Sequence, residues 1–192
     1  MALAIFDLDF HLQQPIAQQL WRDCVQRSSS LPHDWQWQEV TRLQGISFAS
    51  VTKLSATFTE SWLTQNTLYR LQKLQQEHLA VGHRTILISQ FHHGFTQALA
   101  QSLQMTTLLS PQLETLNGIC TGRLLGKEPS SKKRLLQSIL WDEEVELSHS
   151  WCYSGCDSTL ELLQHVTYPV VSCLNPTLTA HAQRHGWLHL QY

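Results

Sequence analysis

Ala4-Ile5-Phe6-Asp7-Leu8-Asp9-Phe10-His11-Leu12 (AIFDLDFHL, residues 4–12) decides how the rest of the chain is read. An apolar run of strand type stops at two carboxylates spaced Asp7-x-Asp9. Charge is expelled from a sheet interior, so such a pair suits the end of a buried strand. Taken alone it also suits a solvated loop or a helix cap.

The chain after it divides in two. Ile16, Leu20 and Cys24 recur at i, i+4 and i+8 with Trp21 beside them, predicting a helix over 14–27 that Ser28-Ser29-Ser30 and Pro32 end. Short helices are predicted over 35–43 and 50–62. Over 67–79, Leu68, Leu71, Leu74 and Leu79 form one face, and Gly82 stops the helix. Beyond residue 80 the pattern alternates. Strands are predicted over 85–88, 107–109, 150–153, 170–172 and 187–190, and helices over 94–103, 131–140, 160–165 and 176–185. Asn117-Gly118 predicts a hairpin within 113–125. This alternation predicts an α/β fold: a Rossmann-like parallel sheet with helices on both faces. Residues 1–12 and 81–192 are its core, and 13–80 a small helical cap insert. Ligands of such sheets sit at the carboxyl ends of the strands, where Asp7 and Asp9 lie.

Composition narrows the function classes. The 192 residues carry a formal charge of −2 and only 15% charged side chains, with no basic stripe. That argues against nucleic acid as partner. No stretch approaches the roughly 18 apolar residues of a membrane span. The apolar N-terminal run is cut at Asp7 and Asp9, unlike a signal peptide. The five cysteines (Cys24, Cys120, Cys152, Cys156, Cys173) are odd in number, which predicts reduced, mostly buried thiols in a cytoplasmic protein.

Four segments in order carry a resemblance. Phe6-Asp7-Leu8-Asp9-Phe10-His11-Leu12 is similar to the pattern F-D-x-D-x-T-L. Thr85-Ile86-Leu87-Ile88-Ser89 is an apolar strand ending in a hydroxyl. Lys132 opens a helix, with Leu136 four residues later; Lys133 is an adjacent alternative. Tyr153-Ser154-Gly155-Cys156-Asp157-Ser158-Thr159-Leu160-Glu161-Leu162-Leu163 resembles Y-S-D-S-x-x-D-L-P-L-L. Together they resemble the haloacid-dehalogenase (HAD) superfamily in its phosphoserine-phosphatase-like branch, over residues 1–12 and about 84–190. The resemblance implies phosphomonoester hydrolysis on a small phosphorylated metabolite. Asp7 would attack phosphorus and form an aspartyl-phosphate. Asp9 would serve as acid and then base. Ser89 would bind a phosphoryl oxygen, and Lys132 would neutralise charge. Mg2+ would bridge Asp7, the Asp9 carbonyl oxygen and an acid of the fourth segment.

That acid is where the sequence departs. Without a gap the family's two acidic positions fall on Gly155 and Thr159. A two-residue shift would make Asp157 the metal ligand and Glu161 its companion. The matches on both sides share one register, however, so the shift needs an insertion and a compensating deletion. Ser158-x-x-Glu161 also fits a capping box. Phe10 and His11 replace small residues beside Asp7; His11 is either a cation or base, or a space-filler. Two readings follow: a weak or altered Mg2+-dependent phosphatase, or a catalytically silent binding or regulatory protein on the same scaffold.

Other constellations are weaker. Cys152-x-x-x-Cys156 lacks the usual metal or redox spacing. His181 and His185 stand at i, i+4 without an evident third ligand and read as a surface pair. His92-His93 reads as solvated or facing a substrate. The Trp-Gln run 35–38 reads as packing of the insert or as a partner-binding face.

Overall fold

The computed structural model describes residues 2–65, 68–126, 132, 136, 147–172 and 175–190. Its main sheet has six strands: β1 (Leu3–Asp7), β2 (Arg84–Ile88), β3 (Thr107–Leu109), β6 (Trp151–Ser154), β7 (Tyr168–Ser172) and β8 (Leu188–Leu190). All neighbours run parallel, in the order β3-β2-β1-β6-β7-β8. This is the predicted Rossmann-like α/β sheet. The order reverses between β1 and β6, so the crevice at their carboxyl ends is the natural binding position. β4 (Leu113–Leu116) and β5 (Ile119–Leu124) form the predicted hairpin, with Asn117 and Gly118 at φ +52° and +77° as a two-residue turn requires.

All five residues of β1 are buried, Asp7 included. Alternate side chains enter different cores. Leu3 and Ile5 join Ile86, Ile88, Cys152, Val171 and Leu178 on one face; Ala4 and Phe6 join Leu87, Tyr153 and Phe95 on the other. A strand covered on both faces reads as a continuous apolar run, and the opening stretch is one.

The second core also contains the predicted insert. Its helices are α2 (Pro15–Arg27), α3 (Phe48–Leu63) and α4 (Tyr69–Ala80), preceded by the single turn α1 (Asp9–Leu12). Trp21, Trp35, Trp37 and Phe58 pack with Phe95 of α5 (His93–Ser102) in one aromatic cluster. The Trp21 ring meets that of Phe95 edge-on at 5.1 Å, and the Trp37 ring stacks on it at 5.2 Å. The hairpin ties in as well: Cys120 N–H donates to Ile46 O (2.8 Å) and Phe48 N–H to Gly118 O (2.8 Å).

Three local expectations differ. Only Val40–Leu43 of the helix predicted over 35–43 forms, as a 3-10 turn. Trp35 and Trp37 are both buried, and a helix would put residues two apart on nearly opposite sides. An irregular path sends both rings inward, held by Trp21 Nε1–H to Trp35 O and Trp35 Nε1–H to Glu39 O, each 3.0 Å. The two tryptophans of the Trp-Gln run thus pack in the core, while Gln38 stays exposed. On α4 the buried face is Leu71, Gln75 and His78, continued by Leu68, with Leu74 and Leu79 only half-buried. His78 earns its place through polar contacts, at 2.8 Å from both the Tyr153 hydroxyl and His83 Nδ1. The N-cap of α6 (Leu160–Leu163) is Thr159 rather than Ser158, and it makes no side-chain cap hydrogen bond. The last helix, α7 (Pro176–His185), ends at Gly186 as predicted. The helix predicted over 131–140 lies outside the described residues except for Lys132 and Leu136, both helical and buried, and Lys133 and Cys173 lie outside them too. Among the described residues no helix is long and apolar enough to cross a membrane.

Candidate active site

The parallel register brings the site together. Asp7 pairs with Ile88 and Phe6 with Tyr153, so Asp7, Ser89 and Ser154 emerge side by side at the sheet's carboxyl edge. Asp9 follows in the first turn of α1. Lys132 reaches in from its helix and is wholly buried. The four side chains expected from sequence, Asp7, Asp9, Ser89 and Lys132, thus form one cluster.

Lys132 Nζ lies 2.7 Å from Asp7 Oδ1 and 2.8 Å from Asp9 Oδ2. Asp7 Oδ1 also accepts the Asp9 backbone N–H at 3.1 Å. Asp7 Oδ2 accepts the Ser154 hydroxyl at 2.8 Å and the Thr159 hydroxyl. A carboxylate offers about four acceptor positions, and those of Asp7 are all taken. Asp9 accepts Ser89 Oγ–H at 2.5 Å and the Gln90 N–H at 2.9 Å. The Ser89 oxygen in turn accepts the Phe91 N–H at 3.0 Å, as the Ser154 oxygen accepts that of Cys156 at 3.0 Å. The single proton of each hydroxyl is already committed. Asp7 is 0% exposed and Asp9 2%.

One ammonium between two buried carboxylates leaves an excess negative charge. Burial raises the Asp9 pKa, Asp7's charge raises it further, and Lys132 only partly offsets this. Burial pushes the Lys132 ammonium down, but Asp7 and Asp9 together outweigh it and hold the pKa above its usual value.

The fourth segment supplies no acid to this cluster. A Cβ at Gly155 would lie 2.6 Å from Phe10 Cδ1 and 2.7 Å from its Cγ. The Phe10 ring therefore occupies the space that any side chain at 155 would enter. Asp157 is exposed and accepts Asn175 Nδ2–H at 3.1 Å; the same amide donates to Gly155 O at 3.0 Å. Among the described residues no three His, Cys, Asp or Glu side chains gather as a metal site. The His181 and His185 rings lie tilted at 30° with centroids 4.4 Å apart beside Trp187, and His181 Nε2 lies 3.3 Å from Gln164 Nε2. Cys152 points into the core, away from Cys156 in role, as a wholly buried thiol.

Sequence reasoning did not foresee the hydroxyls of Ser154 and Thr159 as partners of Asp7. Thr159 stands where the family pattern has an acid, which was the available signal. His92 differs from expectation: it is buried, caps α5 by accepting the Phe95 N–H at 3.1 Å, and stacks on Trp35 at 6.1 Å. A cavity of about 270 Å³ opens beside it, lined by Trp37, Gln38, Val40, Gln90, Phe91 and Leu124.

The buried imidazoles make a pH prediction. Burial lowers the pKa of His11, His78 and His92 to about 4 each. For His11 the charge of Asp7 pulls the other way and loses, so the ring is neutral near pH 7 and suits the space-filling reading. Unfolded imidazoles protonate near 6.5, before the folded ones. Their stability contribution is therefore present above pH 6.5 and is lost as pH falls toward 4, up to roughly 3 kcal/mol per ring. Urea unfolding at about pH 7 and about pH 4.5 should show a clear loss of stability at the lower value. Equal stability would contradict it.

No protein-family model matches the chain. Phosphoserine phosphatase SerB1 of Mycobacterium tuberculosis (strain ATCC 25618 / H37Rv) is 24% identical over 147 residues, covering 76% of this chain and 48% of that protein. The chain thus spans about half the length of the curated relative it matches. The crystal structure of a protein with unknown function from Bordetella pertussis Tohama I superposes with a TM-score of 0.74 at 20% identity, covering 99% of this chain and 98% of that one. A phosphoserine phosphatase captured as an analogue of its phospho-aspartyl intermediate superposes with a TM-score of 0.60 at 13% identity, covering 100% and 93%. The sheet order and these matches show that the chain shares the fold of solved phosphoserine phosphatases, and its ordered motifs are similar to those of the haloacid-dehalogenase superfamily.

Proposed function

We propose that this chain keeps the phosphatase scaffold but not its hydrolytic chemistry, and works as a binding or regulatory protein of the cytoplasm. The observation that carries this reading is the saturation of Asp7. A nucleophilic carboxylate needs a lone pair aimed at phosphorus and a path for the substrate to reach it. Asp7 is enclosed and accepts four hydrogen bonds. Ser89 has no proton left for a phosphoryl oxygen, since it donates to Asp9.

Magnesium does not fit these donors. A bridging Mg2+ takes oxygen ligands in near-octahedral geometry, including carboxylates. Asp7 Oδ2 is held by two hydroxyls, residue 155 carries no carboxylate, and Phe10 fills the space beside it. Lys132 already supplies the cation between Asp7 and Asp9. Asp157, the other acid considered as ligand, is turned to Asn175 at the surface. We therefore assign no step to a metal. Without one, two unit charges about 4 Å apart repel by roughly 4 kcal/mol at an effective dielectric near 20, a rate factor of about 10³. The free thiols of Cys24, Cys120, Cys152 and Cys156 support the cytoplasmic assignment.

The competing reading is a weak phosphatase of small phosphorylated metabolites, favoured by the clustering of Asp7, Asp9, Ser89 and Lys132. The test is hydrolysis of p-nitrophenyl phosphate with Mg2+, alongside thermal melting with Mg2+ and beryllium fluoride. The expected result is no turnover above an Asp7→Asn control and no fluoride-dependent stabilisation. Turnover abolished by Asp7→Asn would establish the competing reading instead.

A further inference from the structure

A second cavity, of about 260 Å³, opens where α2 ends against α3. Its lining comes from two helical stripes and the loop between them. Cys24, Arg27 and Ser28 stand at i, i+3 and i+4 on α2 and its cap; Ser50, Lys53, Leu54 and Thr57 stand at i, i+3, i+4 and i+7 on α3; Ser29 and Ser30 close the rim. The floor is apolar, with Cys24 5% and Leu54 7% exposed. None of Asp7, Asp9, Ser89 or Lys132 lines it.

We propose that this cavity binds a small phosphomonoester or free phosphate, independently of the acid pair. Both its charged side chains are cations, Arg27 and Lys53, and neither has an ion-pair partner among the described residues. Asp23, one turn before Arg27, accepts Gln19 Nε2–H at 2.9 Å instead. Arg27 uses Nε on the Asp23 carbonyl oxygen at 3.0 Å, which leaves its terminal nitrogens to form a fork toward an oxyanion. Ser28 Oγ accepts the Ser30 N–H at 3.3 Å and keeps its own proton to donate. Thr57 is spent on the Lys53 carbonyl at 3.2 Å, so it shapes the wall without contributing a donor. Two cations and serine hydroxyls over an apolar floor match an anionic head with a short organic tail. The volume is below the roughly 300–1,000 Å³ of drug-sized sites, which favours a small ester over a nucleotide.

The proposal holds whether or not Asp7 is catalytic, and its test separates the two. Isothermal titration calorimetry would follow inorganic phosphate and glycerol 2-phosphate, with glycerol as the uncharged control. Wild-type protein should bind both anions saturably and ignore glycerol. Lys53→Gln and Arg27→Gln, at exposed positions whose folding circular dichroism would verify, should each weaken binding about tenfold. Asp7→Asn should bind as wild type does, and Ser89→Ala replaces it if that variant fails to fold. Absence of saturable binding at about 10 mM ligand, near the weak limit of specific recognition, would overturn the proposal. So would undiminished affinity in both cavity variants, equal binding of glycerol, or loss of binding in the acid-pair variant.

Discussion

Lys132→Met should destabilise the fold by about 3–5 kcal/mol. The ammonium is wholly buried between Asp7 and Asp9, at 2.7 and 2.8 Å. Methionine retains much of the volume and none of the charge. Two adjacent carboxylates would then be left without a counter-ion and out of reach of water. The deficit should depend on pH in a defined direction. Asp9's pKa is already raised in the folded protein by burial and by Asp7. A raised pKa means the folded state takes up the proton first, so acidification toward 3.8 relieves the variant. The buried imidazoles charge alike in both proteins and cancel from the comparison, whereas loss of Lys132, which lowers the Asp9 pKa, raises it further in the variant. The gap between the two should therefore narrow from about pH 7 to about pH 4.5 in urea unfolding. A variant within about 1 kcal/mol of wild type would mean that the cluster is solvated like a surface ion pair.

The second large effect concerns Phe10 and Gly155. Gly155→Asp should cost about 3 kcal/mol or more, combining overpacking with a buried charge beside Asp7. Phe10 lies 2.6 Å from where the new Cβ would stand, so the ring must move or the strand end must distort. Phe10→Ala removes that obstacle. In a double-mutant cycle the pair should be coupled favourably by about 1–3 kcal/mol. The same double variant should gain thermal stability from Mg2+ that neither wild type nor Gly155→Asp shows. If Gly155→Asp is tolerated equally with and without Phe10, the two positions are independent and the ring is not what excludes a ligand.

This pair also marks the limit of sequence reading. Phe10 and Gly155 each depart from the family pattern, one too large and one too small, and they are 145 positions apart in the chain. Only the alignment of β1 with β6 puts ring against missing side chain. Thr159 is a similar case. Its neighbours spell a capping box, in which a hydroxyl oxygen accepts a helix N–H, yet the Thr159 hydroxyl makes no cap and donates its proton to Asp7, a buried charged acceptor.

Local pattern determined a good deal by itself. Period-2 and period-3.6 signals placed the strands and most helices, since each element must bury one continuous apolar face. The opening stretch declared a strand covered on both sides, and the order of Asp7, Asp9, Ser89 and Lys132 carried the resemblance whose fold the structure shows. Pattern failed at 35–43, where two tryptophans two residues apart are both drawn into an aromatic core assembled from four separate segments. It failed again on α4, where a polar partner on β6 brings His78 inward in place of Leu79. What only the tertiary structure decided is whether the acids are open. Hydrogen-bond saturation is a property of partners gathered from β1, β2, β6 and the helix of Lys132, and no single segment carries it.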